Sequence, residues 1–281
     1  MPPPSTPTQS VVLDWPIDEV ACITLARGAE MNTLTLEMVA AFDAAIEEAH
    51  RAGARVLIVT GEGRAFCAGA HITYFTEADT PLGSALAIRD DYVRPITTVF
   101  RKLHTLPFAT IAAINGFALG GGCELALSCD FRIIASGARM GLTEVRLGAI
   151  PAGGGLQLLA KLVGRAKAIE IVLLGDQLGA EAAVAAGLAG LACPPEDLAG
   201  EALALAGRLL KCSPAAIAAS KRAIYRCETA EGDEANQIAL DALAAVAAGP
   251  EWAEGMRAFM EKRPPSFVRA AAASARDRAG A

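Results

Sequence analysis

The sequence predicts an α/β fold in which buried strands alternate with helices, followed by an all-helical C-terminal region. Two apolar runs, 54–61 and 109–116, each end in glycine, and such continuous runs are typical of parallel strands covered on both faces. From about Pro194 onward only alanine-rich helical patterns remain. We therefore expect three segments, which are a flexible tail at 1–10, a core with the functional site at 11–195 and a helical region at 196–281.

The core is predicted to begin with two short strands, at 11–13 and 21–25, and an amphipathic helix. Apolar residues recur every three or four positions between Leu36 and Ala49, which is the spacing of one helix face. Thr35, directly before this run, is a residue type that caps helix N-termini, and Gly53, after it, is a residue type that ends helices.

Helices and strands continue to alternate along the chain. A helical pattern at 80–106 contains Pro95, which predicts a break or kink. After the strand at 109–116, a glycine-rich turn opens an apolar helix at 120–129, and 130–136 has the pattern of a further strand. The C-terminal helices are predicted at 196–211, 214–228, 231–248 and 250–262.

Length and composition exclude several classes of protein. A chain of 281 residues and 28.9 kDa is long for one domain and short for two, which favours one large core with an appendage. Hydrophobic residues make up 53% and charged residues 20%, so the chain is not intrinsically disordered. The net charge of −6, without a basic block, argues against a nucleic-acid partner.

Signals for export and for membrane insertion are missing from the sequence. The N-terminus has no basic segment followed by an apolar run, and no stretch of about 20 uninterrupted apolar residues occurs. The seven cysteines are odd in number and form no CxxC pair, which argues against a disulfide framework or a zinc knuckle. We therefore expect a cytoplasmic protein without a membrane partner, whose cysteines are reduced.

Several catalytic motifs are also absent. The sequence has no HExxH, no GxSxG and no GxxxxGK[ST], so a zinc-hydrolase helix, a nucleophile elbow and a P-loop are not predicted. The GxG at 61–63 follows a strand, but Phe66 stands where a dinucleotide-binding loop needs its third glycine.

Two glycine-rich segments, 64–72 and 115–124, each follow a predicted buried strand. Small residues let a backbone N–H approach a ligand oxygen closely. In the second segment the glycines open a helix, whose first N–H groups lack intrahelical acceptors. Two such N–H groups that face one point would form an oxyanion hole, although glycines at a helix–sheet contact explain the pattern equally well.

Two glutamates favour the chemical interpretation. Glu124 follows the glycines on the first helical turn, where the helix N-terminus favours the ionised form that suits a base. Glu144 lies between apolar residues, which favours the protonated form that suits an acid. Taken singly, either residue could equally be a cap or a surface residue.

At these residues the sequence resembles the crotonase superfamily, and most of all its enoyl-CoA hydratases. The matching stretches are AFCAGAHI (65–72), IAAINGFALGGGCELALSCDFRIIA (111–135), LTEVRLGAIPAGGGLQLLAKLVG (142–164) and EGMRAFMEKRPPSF (254–267). The resemblance implies a crotonase-like spiral of repeated ββα units with a C-terminal helical trimerisation region. It also implies a homotrimer or a hexamer.

The resemblance implies a role for each matching residue. The N–H groups of Ala70 and Gly121 would bind the thioester oxygen of an acyl-CoA. Glu124 and Glu144 would be the catalytic acid–base pair. Contacts with CoA would come from two parts of the chain, which are Ala68, His71, Ile72 and Thr73 in the first glycine-rich segment and Phe259 and Lys262 near the C-terminus. His71 departs from the family pattern, in which Asp is common at this position.

The implied reaction is the hydration of a trans-2-enoyl-CoA to a 3-hydroxyacyl-CoA, in fatty-acid or related acyl-CoA breakdown, without a metal or redox cofactor. One alternative is a Δ3,Δ2-enoyl-CoA isomerase, which commonly needs a single carboxylate at the position of Glu144. Other crotonase-family reactions share the same fold, so the fold alone does not choose among them. A non-catalytic CoA- or RNA-binding protein is a further alternative, which both glutamates and the missing basic stripe disfavour.

Overall fold

Strands from successive parts of the chain alternate between two sheets. The computed structural model describes residues 9–76 and 82–267, in two units that meet between Ala206 and Gly207. The described strands are β1 (Val11–Ile17), β2 (Val20–Leu25), β3 (Val56–Gly61), β4 (Ala65–Cys67), β5 (Ala109–Ile114), β6 (Phe117–Leu119), β7 (Phe131–Ala135), β8 (Arg139–Gly141), β9 (Leu178–Gly179) and β10 (Leu191–Cys193). The domain limits expected from the sequence remain a prediction.

Helices connect the strands of the first unit and make up the second unit among the described residues. In the first unit they are α1 (Leu36–Ala52), α2 (Thr73–Thr76), α3 (Ala85–Ala87), α4 (Arg94–Thr105), α5 (Gly121–Ser128), α6 (Gly155–Val163), α7 (Arg165–Leu174) and α8 (Ala180–Ala185). They continue with α9 (Leu198–Leu210), at the junction of the units, and with α10 (Pro214–Cys227), α11 (Asp233–Ala247) and α12 (Pro250–Met260). The four predicted C-terminal helices are thus confirmed, each slightly shorter than expected.

The order of the strands is that of a repeated ββα unit. The larger sheet runs β1-β2-β3-β5-β7-β10 and the smaller runs β4-β6-β8-β9 among the described residues. The strands β3, β5 and β7 are parallel neighbours in the first, and β4, β6 and β8 are parallel neighbours in the second. Each strand pair is followed by helical segments, so the predicted α/β class with repeated ββα units is confirmed.

The structure has a buried strand, a helix cap, a helix end and a helix irregularity at or near the residues for which the sequence predicted them. All six residues of β5 are buried, as an apolar strand between two layers requires. The Thr35 hydroxyl accepts a hydrogen bond from the Met38 N–H at the start of α1, and Gly53 ends this helix in the left-handed conformation. The irregularity near Pro95 is a π-helical turn, Ile88–Val93, which directly precedes α4.

The ends of the chain lie largely outside the described residues. Of the predicted tail at 1–10, only its last two residues are described, and Ser10 is buried with its carbonyl accepting the Ala26 N–H. Within the described part of the chain, no single helix is long and apolar enough to cross a membrane, and only the segments Pro195–Leu210 and Pro214–Cys227, taken together, satisfy length and composition. No disulfide joins any of the seven cysteines, which all lie among the described residues, and their reduced state remains a prediction.

Candidate active site

The two glycine-rich segments meet at one edge of the smaller sheet. They contain β4 and β6, which are parallel neighbours, so the carboxyl ends of these two strands lie side by side. A methyl group added to Gly69 would lie 3.2 Å from the Gly121 nitrogen and 2.7 Å from the Leu119 carbonyl oxygen. The absence of a side chain at Gly69 therefore lets the segment around Ala70 lie directly against the start of α5.

Both backbone N–H groups singled out in the sequence are without a partner among the described residues. The Leu34 N–H donates to the Gly69 carbonyl at 2.8 Å. Because the peptide that joins Gly69 to Ala70 is planar and trans, its N–H points away from Leu34. Gly121 is the first residue of α5, where no intrahelical acceptor exists. The two N–H groups are therefore available to an oxygen of a ligand.

Glu124 is held by a part of the chain to which the sequence analysis gave no role. Its carboxyl is almost completely buried, and its Oε1 accepts the Gly155 N–H at 2.8 Å. Burial, together with the charge of Glu144, raises the pKa of Glu124 to about 7 against the lowering effect of the Gly153 and Gly155 N–H groups. The expectation that the helix N-terminus keeps this carboxyl ionised therefore underestimated the effect of burial.

Glu144 is the first residue of a short 3-10 turn, Glu144–Leu147. Its Oε2 is buried and has no hydrogen-bond partner among the described residues. Burial raises the pKa of Glu144, in the direction expected for an acid that holds its proton. An unpaired buried carboxyl oxygen is costly, so this atom is the strongest indication of a ligand or water position in the site.

The two carboxyl groups flank the same dipeptide. A methyl group on Gly120 would lie 3.1 Å from Glu144 Oε1, and one on Gly121 would lie 3.9 Å from Glu124 Oε2. The charge of Glu144 also contributes to the raised pKa of Glu124. Two buried carboxyl groups beside available N–H donors can move protons at carbon atoms next to a carbonyl group that the donors polarise.

The other predicted binding residues lie in two separate parts of the chain. The Ala68 N–H donates to the Met31 carbonyl at 3.0 Å, and His71 Nδ1 lies 2.9 Å from Thr33 Oγ1. Ile72 and Thr73 follow with exposed side chains. Phe259 and Lys262 belong to the second unit, where Phe259 is 80% exposed and Lys262 follows α12 in the left-handed conformation. Their contact with a ligand remains a prediction.

Sequence reasoning missed the glycines that hold Glu124. The signal was present, because GGG occurs at 153–155 as well as at 120–122 and in both places opens a helix. The expectation that no metal is needed remains a prediction. Within residues 9–76 and 82–267, no three His, Cys, Asp or Glu side chains are grouped as metal ligands would be.

Comparison with known proteins identifies the family of this chain. The model of the enoyl-CoA hydratase/isomerase family matches residues 17–270. A crotonyl-CoA hydratase from Syntrophomonas wolfei is 36% identical and covers 89% of this chain and 95% of its own. A short-chain-enoyl-CoA hydratase from Clostridium acetobutylicum is 35% identical over 87% of this chain and 92% of its own.

Solved structures give the same result. The crystal structure of an enoyl-CoA hydratase from Bacillus anthracis superposes with a TM-score of 0.86 at 34% identity, covering 92% of this chain and 99% of that one. The predicted crotonase-like fold is thereby confirmed, and the family resemblance with it. The chain is an enzyme of the enoyl-CoA hydratase/isomerase family.

Proposed function

We propose that this enzyme hydrates trans-2-enoyl-CoA thioesters to 3-hydroxyacyl-CoA. The observation that carries the proposal is that the buried Glu124 and the half-buried Glu144 both lie next to residues 120 and 121, with Glu144 Oε2 buried and unpaired among the described residues. Adding water across a double bond needs one group that accepts a proton from water and another that supplies a proton to carbon. Two carboxyl groups beside N–H donors can meet both needs.

The backbone donors would act on the thioester carbonyl. In this proposal the Ala70 and Gly121 N–H groups donate to its oxygen, on which negative charge grows as the enolate forms. Their hydrogen bonds strengthen with that charge, so they stabilise the transition state more than the bound substrate. Losing one donor of this kind typically costs about 10²- to 10³-fold in rate.

The glutamates would divide the proton transfers. Glu124 takes a proton from water as the oxygen bonds to C3, and Glu144 gives a proton to C2, so the product gains the atoms of one water molecule. A pKa of about 7 suits Glu124 as a base near neutral pH, and the raised pKa of Glu144 favours its protonated form. Afterwards Glu124 returns its proton to solvent and Glu144 regains one.

The reaction balances with water alone, so the proposal includes no metal or redox cofactor. CoA would be bound by the segment with Ala68, His71, Ile72 and Thr73, and by Phe259 and Lys262. A homotrimer or hexamer in the cytoplasm, acting in acyl-CoA breakdown, belongs to the same proposal. The names of the two similar hydratases, for crotonyl-CoA and for short-chain enoyl-CoA, support a short acyl chain as the first substrate to test.

The test is the hydration of crotonyl-CoA, followed through the loss of absorbance of the conjugated thioester. We expect turnover by the wild type and a loss of about 10²- to 10⁴-fold in kcat in Glu124→Gln and in Glu144→Gln, because each change removes one proton transfer. The matched control is Glu181→Gln, which makes the same chemical change at an exposed carboxylate of α8 and should leave kcat unaltered.

The outcomes separate the alternatives. If either glutamate variant is folded and keeps near-wild-type turnover, the two-glutamate scheme is wrong. Conversion of a 3-enoyl-CoA without hydration of crotonyl-CoA would identify an isomerase instead. Binding of CoA esters with neither reaction would point to a non-catalytic protein. A series of enoyl-CoA esters of increasing length then gives the preferred acyl chain.

A further inference from the structure

Tyr92 lies in an unusual element next to the first glycine-rich segment. It belongs to the π-helical turn Ile88–Val93, and such turns are frequent at functional sites. Its side chain is only 2% exposed, and its ring makes edge contacts with Tyr74 and Phe75 at centroid distances of 5.7 and 5.5 Å. A phenol this deeply buried needs hydrogen-bond partners for its hydroxyl group.

The Tyr92 hydroxyl has two partners, and both are backbone groups. It accepts the His71 N–H at 3.1 Å and donates to the Leu34 carbonyl at 2.6 Å. Leu34 and Ala70 form an isolated parallel bridge, in which the His71 N–H would otherwise face the Leu34 carbonyl directly. The hydroxyl therefore stands between the two segments and links them.

This link fixes the peptide groups on both sides of Ala70. The preceding peptide is held by the Leu34 N–H, which donates to the Gly69 carbonyl at 2.8 Å. The following peptide is held by the Tyr92 hydroxyl through the His71 N–H. Because the hydroxyl also holds the Leu34 carbonyl, it orients the segment that supplies the first contact as well.

Packing alone does not explain the hydroxyl group. A phenylalanine would fill the same volume, but it would remove the donor to the Leu34 carbonyl and the acceptor of the His71 N–H, so these two backbone groups could pair only by moving toward each other. Burial raises the pKa of Tyr92, so the hydroxyl keeps the proton that it donates to Leu34. The group is thus suited to hold both partners at once throughout the neutral pH range.

We infer that the Tyr92 hydroxyl is a positioning group that aims the Ala70 N–H at the thioester oxygen. The inference rests on the proposed function, since it assigns that N–H to the oxyanion hole. Tyr92 would act through the backbone at residues 34 and 71 and would touch no reacting atom. It would therefore affect the stabilisation of the transition state more than the binding of CoA.

The test is Tyr92→Phe, with Tyr74→Phe as the matched control. Tyr74 belongs to the same aromatic cluster, but its hydroxyl accepts the Leu36 N–H, at 3.4 Å, and not the His71 N–H. We expect Tyr92→Phe to lower kcat for crotonyl-CoA hydration by about 10- to 100-fold with KM within about threefold, as a misaimed donor would. Tyr74→Phe should keep kcat within about twofold of the wild type, because neither partner of the Tyr92 hydroxyl is changed.

A spectroscopic measurement separates this role from a general loss of stability. Hydrogen bonds to the carbonyl of bound 2,4-hexadienoyl-CoA shift its absorption to longer wavelength, so the shift reports the oxyanion hole in folded, ligand-bound protein. We expect a smaller shift in Tyr92→Phe than in the wild type or Tyr74→Phe. If the Phe variant does not fold, Tyr92→4-aminophenylalanine keeps a donor at the same place and should retain the shift.

The two proposals fail in different ways. If the wild type hydrates crotonyl-CoA while Tyr92→Phe keeps the wild-type kcat and the full shift, the positioning role is overturned and the hydratase proposal stands. A second outcome is that the wild type shifts the dienoyl absorption, that the shift is smaller in Tyr92→Phe, and that the wild type hydrates no enoyl-CoA. In that case the positioning role stands and the hydratase proposal fails. A wild type that hydrates crotonyl-CoA without shifting the dienoyl absorption overturns the positioning role alone, and a wild type that does neither overturns both.

Discussion

The glycine triplets at 120–122 and 153–155 have the same sequence, and each opens a helix, yet their N–H groups have different partners. In the first triplet the Gly121 N–H has no acceptor among the described residues. In the second, the Gly155 N–H donates to Glu124 at 2.8 Å. Identical local sequence thus produces an available donor in one place and a support for a carboxyl group in the other.

The absence of side chains also has different reasons in the two triplets. A methyl group on Gly122 would lie 1.8 Å from the carbonyl oxygen of Cys67, which belongs to the backbone of β4. A methyl group on Gly153 would lie 2.5 Å from Glu124 Oε2, the end of a side chain that can move. Gly122 of the first triplet is therefore required by the packing of the fold, and Gly153 of the second by the position of the Glu124 carboxyl group.

The largest expected effect follows from the first triplet. In Gly122→Ala the added methyl group overlaps backbone atoms that cannot yield locally, so we expect a loss of more than about 4 kcal/mol of unfolding free energy or no folded protein. Urea denaturation measures the change. Gly137→Ala is the control, because a methyl group there meets nothing within 4 Å. If Gly122→Ala has wild-type stability, the backbone contact at Gly122 is not more restrictive than the side-chain contact at Gly153, and the proposed difference between the triplets is wrong.

The second prediction concerns the carboxyl group that the 153–155 triplet holds. The pKa of Glu124 is raised to about 7 in the folded protein from 4.5, so the folded state binds more protons than the unfolded state between these values. The free energy of unfolding must therefore fall as the pH rises from about 4.5 through about 7, by about 3 kcal/mol from this residue. The measurement is the stability of the wild type minus that of Glu124→Gln, from pH 4 to pH 8. A difference that does not vary with pH would contradict the raised pKa.

The third prediction tests whether the second triplet serves the reaction more than the fold. In Gly153→Ala the carboxyl of Glu124 must move away from the new methyl group, so we expect kcat for crotonyl-CoA to fall by about 10- to 100-fold. Unfolding free energy should change by less than about 1 kcal/mol, because only a side-chain end has to yield. Gly179→Ala, in open space, is the control. If Gly153→Ala instead loses stability in proportion to its loss of activity, Gly153 is required by the fold in the same way as Gly122.

The sequence was sufficient for the order of the main elements and for the two segments that meet at the site. The runs around β3 and β5, the cap at Thr35 and the helix end at Gly53 depend on neighbours along the chain, which the sequence displays. The strands of the smaller sheet were not predicted individually, because β4, β6 and β8 have three residues each and carry no periodicity.

The site depended more on tertiary contacts. Glu124 and Glu144 were identified as candidates from the sequence. The upward shift of the pKa of Glu124 was not predicted, because the burial that causes it comes from residues that are distant along the chain. The roles of Gly155 and of the Tyr92 hydroxyl were likewise missed. Their partners lie 31 and 21 residues away along the chain, at distances that no local motif encodes.

The sequence by itself determined which residues are available for chemistry: two carboxyl groups, and two stretches of small residues that follow buried strands. These choices can be read locally because side-chain type, helix capping and apolar periodicity act over a few residues. Only the tertiary structure decided which N–H groups stay free and which support a carboxyl group. The close approach of β4, α5 and the 153–155 turn sets the burial and the hydrogen-bond partners, and these set the proton affinity of Glu124.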